Sequence, residues 1–146
     1  MTRLVHVAAE GVRLPVSLAR VERTALAVLR AERVRDAELS VTFVSDRRMA
    51  SLNWEHLRHR GPTDVISFEF APVGATGIAG DIYVAPAVAR RNALAHGAPI
   101  REEMLRLVIH GVLHVLGHDH PVDDERYASA MWRRQERLLR SAMAAS

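Results

Sequence analysis

The fold class predicted by the sequence is α+β in a single domain. Three observations predict it. Strand-type alternation and helix-type periodicity interleave along the chain, one long segment is apolar on nearly every side, and no linker, repeat or low-complexity tract divides the 146 residues. A chain of that length buries a sizeable core without disulfide or metal staples. Its 49% hydrophobic and 25% charged residues are ordinary for a soluble globular protein. One domain is therefore expected over residues 1–146.

Leu4, Val5 and Val7 suggest a short opening strand. Ser17 suits the N-cap of a first helix, whose Leu18, Val21, Ala25 and Leu29 recur at helical spacing. From Glu38 to Ser45, Leu39, Val41 and Phe43 alternate with Ser40, Thr42 and Val44, the period of a strand. Asp46 is placed to cap a second helix carrying Met49, Leu52 and Trp54 towards Leu57. Arg58-His59-Arg60-Gly61-Pro62 reads as a loop. Val65 to Phe70 is a strong strand with Ile66, Phe68 and Phe70 on one face, and Pro72, Gly74, Gly77 and Gly80 connect it to a second strand, Asp81 to Val84. The pair is expected as an antiparallel hairpin.

Pro86 opens an alanine-rich helix that ends near Gly97. Pro99 then starts another, with Glu102 and Glu103 where the helix dipole favours acids. Met104, Leu105, Leu107, Val108, Ile109, Val112, Leu113, Val115 and Leu116 make it apolar nearly all round, as befits a core helix. Asp123 and Asp124 offer caps for a last helix with Tyr127, Met131, Leu138 and Ala142 on one stripe.

Composition excludes some functions. With no cysteine there is neither a disulfide framework nor a thiolate metal site. No run approaches the roughly 18 apolar residues of a membrane span, and Glu10 and Arg13 break any leader-like segment. A cytoplasmic protein with no membrane partner is the expectation. All twenty basic residues are arginine, at a formal net charge of +3. Arginine's planar fork suits phosphate, so nucleic acid is a permissible partner, although GC-rich codon usage produces the same excess.

The informative segment is His110-Gly111-Val112-Leu113-His114-Val115-Leu116-Gly117-His118-Asp119-His120. On a helix, His110 and His114 lie about 40° apart on one face, so two imidazoles can converge on one ion. Gly117 can take the left-handed conformation that ends a helix, and the returning chain can bring His120 as third ligand. His118 is the competitor, being four residues from His114, but it would join the stripe only if the helix ran on through Gly117. Three neutral imidazoles leave an open position, the arrangement of a catalytic zinc site, and one zinc per chain is expected. The ring set also suits nickel or copper. A single histidine on an apolar helix is usually a core residue; two on one buried face with aliphatic neighbours would lack polar partners unless they share an ion. The spacing matches the metzincin peptidases in its histidines and glycine, yet their general-base glutamate is replaced here by Gly111.

These residues resemble the signature of the YbeY family of bacterial endoribonucleases, H-G-x-L-H-L-x-G-x-D-H, with Val115 where the family usually has leucine. Leu52-Asn53, then Pro62-Thr63-Asp64-Val65-Ile66-Ser67-Phe68, then Gly80-Asp81-Ile82 match further recurrent segments in order, so the likeness runs from about Leu39 to the C-terminus. The resemblance implies a small, mostly four-stranded mixed sheet surrounded by helices, and zinc on the three histidines at the end of a buried helix. It also implies single-strand-specific RNA cleavage, with roles in small-subunit rRNA 3′-end maturation and ribosome quality control, and ribosomal RNA and ribosomal or ribosome-associated proteins as partners. In one respect the chain departs: Leu57 stands where many members carry an arginine important for activity.

Arg58 and Arg60 are the nearest substitutes for that charge, and Asp119 is a candidate to orient a ligand or act as a base, with Asp64 and Asp81 as further candidates beside the ligands or in turns. Three function classes stay open: the zinc-dependent endoribonuclease, a metal-containing ribosome-assembly factor with little cleavage of its own, and a metal-dependent hydrolase of another substrate. The last is weakened for peptides by Gly111.

Overall fold

The chain is described here by a computed structural model covering residues 2–70, 77–120, 125, 127 and 129–145. Its elements run β1 (Arg3–Ala9), α1 (Leu18–Ala31), β2 (Ala37–Phe43), α2 (Asp46–Leu57), β3 (Val65–Phe70), β4 (Ile78–Val84), α3 (Pro86–His96), α4 (Ile100–Val115) and α5 (Ala130–Ala144). The α+β expectation holds: one mixed sheet of four strands, ordered β1-β2-β4-β3, with five helices around it. β1 and β2 pair in parallel, as do β2 and β4, while β3 and β4 form the antiparallel hairpin.

Alternation in β2 sets the two faces. Leu39, Val41 and Phe43 are fully buried towards the main core, which they share with Val21, Ala25 and Leu29 of α1. The opposite face of β3 and β4 carries Ile66, Phe68 and Tyr83, which α2 covers with Met49 and Leu52. α4 lies at the centre, touching α1, α3, α5, β3 and β4. A helix with neighbours on so many sides keeps only a narrow polar stripe, Glu102, Arg106, His110 and His114, all partly exposed, which explains its nearly unbroken apolar run.

Close approach of α4 to the sheet depends on two glycines. A Cβ on Gly80 of β4 would lie 2.6 Å from Val115 Cγ1 and 2.7 Å from the Phe68 carbonyl oxygen; one on Gly111 of α4 would lie 2.6 Å from Ile82 Cγ2. Gly80 is thus part of β4, which begins at Ile78 rather than Asp81, because pairing to both neighbours continues through it.

Other boundaries also differ from expectation. Ser45, not Asp46, caps α2: its hydroxyl accepts from the Arg48 N–H, and Asp46 becomes a first-turn acid. Trp54 and Leu57 are 44% and 47% exposed and Leu18 is 42% exposed, so they flank the buried stripes rather than join them. Phe70, at 48% exposure, lies beyond the cover of α2. α5 begins at Ala130 under a Ser129 cap, which puts Tyr127 ahead of the helix; Pro72, Gly74, Asp123 and Asp124 fall outside the described residues. Among the described residues no helix is long and apolar enough to cross a membrane.

Candidate metal centre

His110 and His114 stand one turn apart on α4, their ring centroids 4.6 Å from each other. The helix then stops in a Schellman turn: Gly117 N–H donates to the His114 carbonyl and His118 N–H to the Leu113 carbonyl, both at 3.0 Å, with Gly117 at φ +98°. A left-handed residue at this point turns the chain back, and His120 arrives with its ring 5.0 Å from each of the other two. One nitrogen from each of the three rings falls within 4.8 Å of the others. His118 goes elsewhere, to the Glu32 carboxylate at the end of α1, which Arg134 of α5 also holds.

The donor chemistry fits a metal ion. Imidazole nitrogen suits zinc, nickel or copper, and three such donors leave coordination positions open. A ligand must be neutral to bind. Burial, helped by the His120 ring, holds the His114 imidazole below the ordinary histidine value of 6.5, so a proton competes little for its nitrogen near neutrality. His110 has its Nδ1 2.6 Å from Oε1 of Gln135, a buried side chain of α5.

A pH dependence follows. The folded, metal-free chain binds fewer protons at His114 than the unfolded chain, so stability rises with pH across the interval between the two values. Denaturant melts of chelated protein are expected to show constant stability from this group above pH 6.5 and a decline as pH falls below it. A metal-free chain that gains stability on acidification through that range would contradict the assignment.

The histidines line one wall of an open cleft whose other walls include Leu57, Pro62, Asp64, Ser67, Arg106 and Trp132. Ser67 Oγ donates to the Gly111 carbonyl at 3.2 Å, tying β3 to α4 beside the site. Gly111 itself faces Ile82. The position that carries the base in zinc peptidases therefore points into the sheet, with no room for a carboxylate.

The other predicted site residues lie apart from the rings or serve local structure. Arg58, in the left-handed region at φ 56°, ends α2, and both it and Arg60 lie over the exposed Trp54 ring, at 5.3 and 5.4 Å; neither lines the cleft. Asp119 accepts the His120 backbone N–H at 2.9 Å, a turn contact. Asp64 accepts from Val65 N–H at 2.8 Å and from the Asn92 amide at 3.3 Å at the head of β3. Asp81 lies on the sheet face away from α4 and accepts from Ser40 at 2.6 Å.

Two site residues escaped the sequence reading. Arg106, one turn before His110, lines the cleft and is held by Glu136 and Glu103. Gln135 backs His110 from α5. The i−4 spacing of Arg106 to His110 and the central place of Gln135 in the α5 stripe were the available signals, but side-chain pairing between α4 and α5 is not written in either helix alone.

Three imidazoles converging on a cleft, with the peptidase base sterically excluded, are the constellation of a metal-dependent hydrolase of bonds other than peptides. Comparison with known proteins gives the family. The family model described as Endoribonuclease YbeY matches residues 9–143. An endoribonuclease YbeY from Frankia alni is 40% identical over 135 residues, covering 83% of this chain and 74% of the relative. Its counterpart in Syntrophotalea carbinolica is 32% identical over 140 residues, covering 93% of each. The solution structure of TM1509 from Thermotoga maritima superimposes with a TM-score of 0.66 at 25% identity, over 97% of this chain and 91% of that one. The chain belongs to the YbeY endoribonuclease family, metal-dependent hydrolases of phosphodiester bonds.

Proposed function

We propose that residues 1–146 form a single hydrolase domain that binds one zinc through His110, His114 and His120 and cuts single-stranded RNA. The setting proposed is the cytoplasm, in small-subunit rRNA 3′-end maturation and ribosome quality control, with ribosomal RNA and ribosomal or ribosome-associated proteins as partners. The observation that carries the reading is the convergence of the three rings at a cleft of about 1330 Å³. That exceeds the ~300–1,000 Å³ of ordinary small-molecule pockets and leaves room for a stretch of RNA rather than one nucleotide.

When bound, the metal supplies Lewis acidity for a phosphoryl oxygen and acidifies a water. The chain's own residues prepare the site. His114 is kept neutral by burial, and His110 is oriented from behind by Gln135. Tyr127 and Trp132, packed edge to face at 4.8 Å on the cleft wall, offer bases an aromatic surface. Arg58 and Arg60 have no carboxylate partner within ion-pair distance among the described residues, and Leu57 and Pro62 on either side of them line the cleft. They are assigned to strand phosphates leading to it, in place of the family arginine absent at Leu57.

Removing both charges, Arg58→Ala with Arg60→Ala, is expected to raise KM for single-stranded RNA several-fold. The salt slope of binding should shrink by about 1.4, since each phosphate contact on a single strand contributes about 0.7. Metal content should stay unchanged; an unaltered salt slope would return these arginines to a solvated loop.

One observation favours a second reading. Arg106, the arginine of the cleft, is neutralised by two carboxylates, which suits an RNA-bound assembly factor that cleaves little. Cleavage of a single-stranded RNA by purified chain, lost on chelation and restored by zinc, supports the nuclease; chelation-insensitive residual cleavage supports the assembly factor.

A further inference from the structure

We propose that Gln135 is a positioning residue of the metal centre, holding His110 in the tautomer protonated at Nδ1 and so assigning Nε2 as the nitrogen offered to the ion. The inference rests on the reading of the three histidines as metal ligands, and deepens it.

Gln135 is the polar exception on the buried stripe of α5, 1% exposed between Met131 and Leu139 at 2% each. A buried amide among aliphatic side chains is unfavourable unless it is hydrogen-bonded. The oxygen and nitrogen of an amide are told apart by their partners, and here the partners decide. Gln135 Nε2 lies 3.1 Å from Oε2 of Glu136, a carboxylate that accepts only, so this end must be the NH₂. Glu136 is fixed in turn by Arg106, whose Nε and Nη2 donate to its two oxygens at 2.9 and 3.0 Å. The remaining nitrogen, Nη1, donates to Glu103 at 3.0 Å.

The chain of hydrogen bonds therefore leaves α4 at Glu103 and Arg106, crosses to Glu136 and Gln135 on α5, and returns to α4 at His110. Gln135 Oε1 is left facing His110 Nδ1 at 2.6 Å. An amide oxygen cannot donate, so the ring nitrogen must, and a lone pair on Nδ1 would confront another lone pair. The proton sits on Nδ1 and the lone pair on Nε2. Fixing tautomer and ring plane before the ion arrives is what a hydrogen-bond partner behind a metal-bound histidine contributes.

The first test needs no substitution. In ¹⁵N-labelled, metal-free wild-type chain, long-range ¹H–¹⁵N correlation of the His110 ring should show protonated Nδ1 and unprotonated Nε2; a dominant Nε2–H form overturns the proposal. The second compares metal affinity by chelator competition. Gln135→Met, which removes the acceptor at similar volume, should weaken zinc binding roughly 10–100-fold. Gln135→Glu combined with Glu136→Gln, which keeps an oxygen towards Nδ1 without setting two carboxylates against each other, should stay within a few-fold of wild type. Wild-type affinity in a folded Gln135→Met chain also overturns the proposal, and if that variant does not fold, the wild-type spectrum decides. Wild-type chain that shows the Nδ1–H tautomer yet takes up no zinc refutes the metal reading while leaving the hydrogen-bond assignment intact.

Discussion

Replacing His114 with alanine is expected to take the protein from about one zinc per chain to almost none, and to lower cleavage of single-stranded RNA by more than about 100-fold. The magnitude follows from comparison, since loss of a partner behind a metal ligand already costs about 10–100-fold in metal affinity or activity and loss of the ligand itself costs more. The His114 ring lies 4.6 Å from His110 and 5.0 Å from His120, and its removal leaves two nitrogens that a single ion binds weakly. Elemental analysis after dialysis measures the first effect. Thermal melts separate it from misfolding: zinc at 100 times its dissociation constant should stabilise wild type by about 2.7 kcal/mol and leave His114→Ala unmoved. His118→Ala is the control. Its ring is bound to Glu32, so the zinc should stay; loss of metal in His118→Ala and retention in His120→Ala would mean that the ligand set is wrong.

Gly111→Glu has an equally large effect for a different reason. The substitution recreates the peptidase signature in the sequence, yet it is expected to yield no peptidase and to destabilise the fold by more than about 4 kcal/mol. Overpacking a core costs about 1–3 kcal/mol, and an unpaired buried carboxylate adds several more. The Cβ alone would lie 2.6 Å from Ile82 and 3.3 Å from Ser67 Oγ, so α4 must lift from the sheet, carrying two of the three clustered histidines with it. Such a loss is a large part of the about 5–15 kcal/mol that holds a domain together. Urea titration should show it, with zinc uptake lost in parallel. A stable Gly111→Glu chain that hydrolyses casein would reverse the conclusion.

Much of this was legible in the sequence because the deciding signals are local. Histidines four apart on an apolar run, followed by a glycine able to adopt φ +98°, specify a helix, its end and the return of the chain without reference to any other element. The same holds for the Ser17 cap, the alternation in β2 and the hairpin of β3 and β4. What stayed hidden depends on neighbours. Gln135 reads as a polar residue for the surface until α4 is placed against it. Arg106 reads as a solvated cation until Glu103 and Glu136 close on it. Gly80 reads as a turn residue, although its reason for being glycine is the Val115 side chain on another element. Arg58 and Arg60 read as loop residues beside the cleft, but the left-handed end of α2 lays them over Trp54, at the approach to the cleft rather than in its wall.

Arg134 and Gln135 are adjacent on α5, yet they reach opposite arms of the centre. Arg134 grips Glu32, which holds His118 two residues before His120, and Gln135 braces His110. The last helix is therefore a fastener across both halves of the histidine cluster. Loss of α5 would remove both contacts at once, so the order of the cluster is tied to the docking of a helix that contributes no ring to it.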